Sequence, residues 1–353
     1  MGAGVRGSGV LLLTAGWLGA ACLGAMPQAG AAPAPPGAGA EEIAIVGSST
    51  VYPFSQEAIR QFQPRAGQRL KLSATATGTS AGLREFCAGR ISIAAASRPI
   101  NAKELKACEG KGITFLELPL AFDAITVVVN QANPFAKAIS TDQLQTLWSR
   151  AAEGKVKRWS QVNPSWPDEA IRLCGPGRES GTYDTFNKAI NGDEANSRQD
   201  YTASEDDEVL VRCVANDRLA LGYFGFDYYQ ANRSRLRALA VDGLRGPVAP
   251  SIKSVQDSRY LPLSRPLFYY VNAKAVNSNP NLRQFVSTSL QKGRKIAEQA
   301  GMIPLQNSTY LLVTNKLYRN VQGSAFAGKL PIGLSVGQIL QRSFDEQKQP
   351  QFR

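Results

Sequence analysis

The chain has 353 residues, of which 43% are apolar and 19% charged, which excludes a disordered chain and is too long for one ordinary core, so two domains are expected. Its net charge of +12, from 40 basic and 28 acidic residues, is dispersed and carries no groove-reading motif, so no nucleic-acid partner is expected, while a positive field suits a small anion. It contains no histidine, which removes the commonest general base and metal ligand and turns the reading toward binding without chemistry.

Residues 1–25 carry one charge, Arg6, and then an apolar run over 10–23, the pattern of a secretory signal and too short and glycine-rich for a spanning helix. Cleavage is expected after Ala31 or Ala40, with lipidation of Cys22 as the alternative start. Residues 26–40, nearly all Ala, Pro and Gly, read as a leader, so 1–40 is set aside as signal and leader.

From residue 43 strand and helix patterns alternate, which predicts an α/β fold. Residues 43–46 form a short apolar strand, and Phe54, Ala58, Ile59 and Phe62 repeat at helical spacing. Leu70, Leu72, Ala74 and Ala76 alternate as in a strand, and Leu83, Phe86 and Cys87 begin a second helix. Residues 91–96 and 124–130 read as buried strands, Thr141 or Asp142 as the cap of a helix through Trp148. Residues 171–174 lead into a loop followed by a helix with Tyr183, Phe186 and Ile190 on one face; 267–271 is a late strand and 287–300 a late helix. The end, 346–353, is polar and reads as loose.

Three runs stand between a strand and a helix: Gly47-Ser48-Ser49-Thr50, Gly78-Thr79-Ser80-Ala81-Gly82 and Gly177-Arg178-Glu179-Ser180-Gly181-Thr182. Backbone N–H groups at a helix start are unpaired and the helix dipole favours an anion there. Ser and Thr add neutral donors, and Gly lets backbone approach a ligand. Each run alone is ordinary capping chemistry. Together, with Arg98 ending one strand and Arg178 inside the third run, they predict one oxyanion held from several sides.

Without Cys22, four cysteines remain, Cys87, Cys108, Cys174 and Cys213. Three pairings are open; pairing within each half, Cys87 with Cys108 and Cys174 with Cys213, is expected because it would not tie two moving domains together. Their wide spacing and the lack of His give no metal cluster, and no metal or cofactor is expected. Gly78-Thr79-Ser80-Ala81-Gly82 formally matches the Gly-x-Ser-x-Gly nucleophile turn, which would make a secreted serine phosphatase or esterase using Ser80; the base that turn needs is missing.

The runs 47–54 (GSSTVYPF), 78–82 (GTSAG), 96–100 (ASRPI), 123–130 (DAITVVVN), 178–184 (RESGTYD), 221–225 (LGYFG) and 263–268 (LSRPLF) resemble the periplasmic phosphate-binding proteins of ABC transporters, a likeness running from about Glu42 to Leu312. The resemblance implies a two-lobed binding-protein fold of type II kind, each lobe a sheet flanked by helices, with the ligand between them. It implies lobe I as 41–121 plus 263–353 and lobe II as 122–262, with crossings near 120–123 and 261–265. It implies a monomeric, exported, periplasmic, non-enzymatic phosphate receptor that hands its ligand to a membrane ABC permease by hinge closure. Carried over position by position, the phosphate contacts are Ser49, Thr50, Thr79, Ser80, Arg98, Arg178, Ser180, Gly181 and Thr182.

Some members of that family have an aspartate where Arg98 stands, accepting the phosphate's own proton and so rejecting sulfate. Asp123 is the expected replacement acceptor and Glu179 a poorer one; without an acceptor, sulfate, molybdate or arsenate become alternative ligands. A sensory role, in which occupancy presents a lobe face to a membrane partner, leaves no mark in the sequence.

Overall fold

Two sheets, each built by strands that alternate with helices, account for the described part of the chain, which in this computed structural model is residues 1–2, 41–64, 70–243, 246–329 and 332. The expected signal, both cleavage points, Cys22 and the 346–353 tail lie outside these residues. The chain runs through β1 (Glu41–Gly47), α1 (Tyr52–Gln61), β2 (Leu70–Ala76), α2 (Thr79–Cys87), β3 (Ile93–Ala96), α3 (Ala102–Gly110) and β4 (Phe115–Ala124). It continues through β5 (Thr126–Asn130), β6 (Ala138–Ser140), α4 (Thr141–Trp148), β7 (Arg172–Pro176), α5 (Gly181–Asn191), β8 (Thr202–Ser204), α6 (Asp207–Ala215), β9 (Ala220–Phe224) and α7 (Phe226–Ala231). Then follow β10 (Leu236–Ala238), β11 (Ala240–Asp242), β12 (Pro247–Val248), β13 (Ser264–Asn272) and β14 (Ile303–Pro304).

The first lobe is built on a sheet ordered β14-β4-β13-β3-β1-β2, the second on one ordered β10-β5-β9-β7-β8; β12-β11-β6 make a small third sheet. In the first, β1 pairs in parallel with both β2 and β3. In the second, β7 pairs in parallel with both β8 and β9. Each lobe therefore has a strand whose neighbours lie on opposite sides, the switch point at which open α/β sheets hold ligands beyond the strand carboxyl ends. The run 47–50 follows β1, and the run 177–182 follows β7.

Helices cover both sheet faces, so the strands are apolar on both sides. On β13, Leu267, Tyr269 and Val271 pack with Ile43, Ile45 and Phe54, while Phe268 and Tyr270 enter the opposite core. In the second lobe Trp148 meets Phe186, Tyr201 and Tyr223 edge-on, and Phe186 stacks on Tyr223 at 3.8 Å, which seats α5 against its sheet. The chain passes between sheets at two adjacent points: β4 ends at Ala124, β13 begins at Ser264, and Ile125 N–H donates to the Leu263 carbonyl at 2.7 Å.

The disulfides pair as expected, Cys87 with Cys108 joining α2 to α3, and Cys174 with Cys213 joining β7 to α6. Three local expectations are corrected. The apolar run 124–130 is not one strand, because Ala124 ends β4 and β5 begins at Thr126. Ser140, not Thr141 or Asp142, caps α4, in a capping box with Gln143 that satisfies two backbone donors at once. The late helix starts at Pro280 rather than 287, capped by Asn279, and breaks after Gln291; a new helix, Gly293–Gln299, opens where a Cβ on Gly293 would lie 2.3 Å from the Tyr310 ring.

Candidate functional site

The first loop is set by Gly47, whose φ of +142° and closeness to β3 (a Cβ there would fall 2.1 Å from the Ala95 carbonyl oxygen) admit no other residue without displacement. Its carbonyl accepts from Thr77 N–H and Gly78 N–H at 2.8 and 2.9 Å, which ties the first loop to the second. Ser49 Oγ then donates to Asp207 Oδ2 at 3.0 Å, and Thr50 Oγ1 lies 3.4 Å from Thr182 Oγ1. Both partners belong to the second lobe.

The second loop meets the third directly. Ser80 N–H donates to the Glu179 carbonyl at 3.0 Å. Thr79 Oγ1 lies 3.2 Å from Ser97 Oγ and accepts from Ser97 N–H at 3.1 Å. In the third loop Ser180 caps α5, its Oγ accepting from Thr182 N–H at 3.1 Å. Gly181, the first residue of α5, fits against the other lobe only because it has no side chain: a Cβ would lie 2.6 Å from Ser97 Oγ and 2.8 Å from Thr79 Oγ1. Ser49, Thr50, Thr79, Ser80, Ser180, Gly181 and Thr182 are thus brought together at the facing ends of the two sheets.

The two expected arginines are placed differently. Arg178 is exposed and donates Nε–H to Gln199 Oε1 at 2.9 Å. Arg98 is buried, and each of its five N–H groups has a protein acceptor. Nε donates to Asp184; Nη1 to the Pro99 carbonyl and Glu104, at 3.1 and 2.8 Å; Nη2 to Ser80 Oγ and Glu104, both at 2.8 Å. Guanidinium has five donors and no acceptor, so no N–H is left over in this arrangement.

The cation at the centre of the hydroxyl cluster is Arg265, which the sequence reading quoted in a motif without assigning it a role. It is 2% exposed. Its Nη2 donates to Thr182 Oγ1 at 2.7 Å, to Thr50 Oγ1 at 3.2 Å and to Asp123 Oδ2 at 2.8 Å, while Nη1 is buried with no hydrogen-bond partner among the described residues. A buried guanidinium nitrogen without an acceptor is costly unless an anion completes it. No local signal in the chain marks it, because strand register sets its partner Asp123.

Three buried carboxyl groups lie near one another here, two of them within reach of this cation. Asp123 Oδ2 takes two N–H groups from Arg265, and Oδ1 takes Phe226 N–H at 2.9 Å, so the expected acceptor already holds three donors. Asp207 receives only the Ser49 hydroxyl among hydrogen bonds in the described structure; burial pushes its carboxyl up to about 7, against the pull of Ser49 and Arg265. Asp227 is pushed well above the usual carboxylate range by burial and by Asp123 and Asp207. Glu179 pairs with the exposed Arg84 of the first lobe. Among the described residues no group of three or more His, Cys, Asp or Glu could hold a metal ion, and no helix is long and apolar enough to cross a membrane.

The arrangement is one of donors: a helix N-terminus, hydroxyls from both lobes and one buried guanidinium, with carboxyls behind. Ser80, the residue of the nucleophile-like turn, has its hydroxyl oxygen occupied by Arg98.

The chain resembles known proteins over most of its length. Residues 32–290 match the PBP superfamily domain. The chain is 43% identical to Protein SphX of Synechocystis sp. over 303 residues, 86% of this chain and 90% of that protein. It is 34% identical to the phosphate-binding protein PstS of Staphylococcus haemolyticus over 267 residues, 75% of this chain and 81% of that protein. Among solved structures, a possible phosphate binding protein from Planctomyces limnophilus superposes with a TM-score of 0.59 at 37% identity, covering 79% of this chain and 98% of that one. An ABC-type phosphate transport receptor from Vibrio cholerae, 20% identical, shares the fold with a TM-score of 0.57 over 74% of this chain and 100% of that one.

Proposed function

The chain belongs to the PBP superfamily, and from that premise we propose that it binds inorganic phosphate outside the cytoplasmic membrane and passes it to an ABC permease, its lobes closing about a hinge. The observation that carries this reading is Arg265: a buried guanidinium shared between hydroxyls of both lobes, with Nη1 facing no acceptor. A tetrahedral anion is the guest that such a set of donors lacks. Its negative charge is further stabilised by the N-terminus of α5, capped by Ser180.

The hinge is placed where the chain passes between sheets, at Ile125 and Leu263. The described residues of 41–124 and 264–329 then form lobe I, and those of 126–262 lobe II. Thr50 and Ser49 bind from the first, Ser180, Gly181 and Thr182 from the second, and Arg265 from the strand beside the crossing. In the closed arrangement these donors contact one another, so an anion enters by parting Thr50 from Thr182 and replaces their contact with its own oxygens. Closure is favoured only to the extent that the anion binds both lobes better than one.

Asp207 is the acceptor for the proton of a protonated phosphate. It receives one hydroxyl, from Ser49, and retains lone pairs, whereas sulfate would bring an unprotonated oxygen against it. Isothermal titration with inorganic phosphate and then sulfate tests the reading. One phosphate per chain, with sulfate at least 100-fold weaker, is the expected outcome (about 3 kcal/mol of discrimination); no phosphate binding, or a preference for sulfate, removes it.

A further inference from the structure

We propose that Arg98 is a bolt between the lobes, a positioning residue that holds the cleft closed rather than a donor to the anion. The inference deepens the anion-site reading and depends on it only for the binding arm of its test.

The residue stands just after β3, at the end of the first lobe's sheet that faces the cleft, and Asp184 stands in the first turn of α5 in the second lobe. Their side chains meet in the interior, Arg98 at 2% and Asp184 at 8% exposure. The other four donors of Arg98 stay within its own lobe, on Glu104, the Pro99 carbonyl and Ser80. Glu104 is itself fixed. It closes a capping box with Asn101, accepting from Asn101 N–H at 2.9 Å while its own N–H donates to Asn101 Oδ1 at 2.9 Å.

This makes the pairing one-sided in a useful way. When the lobes part, Arg98 keeps its fork on Glu104 and stays oriented, and only the contact to Asp184 is released. The Asp184 carboxylate then meets water, so opening leaves no buried charge unpaired. When the lobes close, a preset guanidinium finds the carboxylate without an ordering cost for its own side chain. Burial raises the Asp184 carboxyl to about 6 while Arg98 pulls it down, so it is ionised at neutral pH and able to engage. The contact lies beside Gly181 and Ser80, so engaging it presses the N-terminus of α5 onto the second loop.

The test uses the full mature chain as wild type, Asp184→Asn and Arg98→Lys. Small-angle scattering of the protein without phosphate reads closure, and titration and stopped-flow with inorganic phosphate read affinity and release. Both variants are expected to enlarge the radius of gyration without phosphate, to weaken phosphate binding at least tenfold through faster release, and to regain the wild-type dimension at saturating phosphate. Wild-type dimension and affinity in Asp184→Asn would overturn the proposal. So would loss of binding in Arg98→Lys with binding intact in Asp184→Asn, because Arg98 would then be a direct ligand. Should Arg98→Lys fail to fold, the nearly isosteric Asp184→Asn decides alone. If the wild type binds no phosphate, the anion-site reading fails while the scattering comparison still judges the bolt.

Discussion

Arg265 and Asp123 face each other across neighbouring antiparallel strands, register partners in β13 and β4, and pair inside the protein through Nε and Nη2 at 3.0 and 2.8 Å. The pairing engages Nε and Nη2 and leaves Nη1 without a hydrogen-bond partner among the described residues.

Arg265→Lys is therefore expected to weaken phosphate binding at least 100-fold by titration, since an ammonium cannot span Asp123, Thr50 and Thr182 together. Arg265→Ala would also strand a buried carboxylate and lower stability by about 3–5 kcal/mol. Adding Asp123→Asn to Arg265→Ala should restore much of that stability in thermal melts without restoring binding. Recovery of both would show that Arg265 only balances Asp123.

Asp207 predicts a pH dependence. Its carboxyl titrates at about 7 in the folded protein against an ordinary 3.8, with burial as the first cause, Ser49 and Arg265 opposing, and Asp123 and Asp206 reinforcing; Asp227 and Tyr228 also lie within its field. The folded protein thus holds this proton more tightly than the unfolded chain. The stabilisation is full below the unfolded value and is lost as pH rises through the folded one. Asp207→Asn should melt near wild type at about pH 4 and progressively above it as pH rises to about 8. Parallel melting curves across that range would show that Asp207 carries no such shift.

Gly181→Ala is expected to hold the lobes apart, because the added Cβ would sit 2.6 Å from Ser97 Oγ, 2.8 Å from Thr79 Oγ1 and 3.1 Å from Arg98 Cγ. Phosphate affinity should fall at least tenfold, and the radius of gyration without phosphate should rise, since the clash opposes closure. Adding Ser97→Ala removes the nearest obstruction and should recover part of the affinity. No recovery would place the effect in the helix start itself.

Much of the site is legible in the chain because its chemistry is local. A glycine at positive φ, a run of hydroxyls and a following helix are encoded within six or seven residues, so Gly47 to Thr50 and Ser180 to Thr182 stand out from sequence alone. The same locality explains the Asn101 and Glu104 capping box, readable as Asn-x-x-Glu, and the cysteine pairings, which join neighbouring elements. A motif says nothing about which way the Arg178 side chain turns; here it turns to Gln199.

What only the tertiary structure decided is which charges meet. Arg265 reaches Asp123 over 142 residues, Arg98 reaches Asp184 over 86, and Ser49 reaches Asp207 over 158. Charged side chains leave no periodic trace of their partners in the chain; register between strands and the docking of α5 choose them. The sequence therefore determined where the hydroxyl-rich helix starts lie. The packing of two sheets determined which arginine stands among them, and which one spans the gap between the lobes.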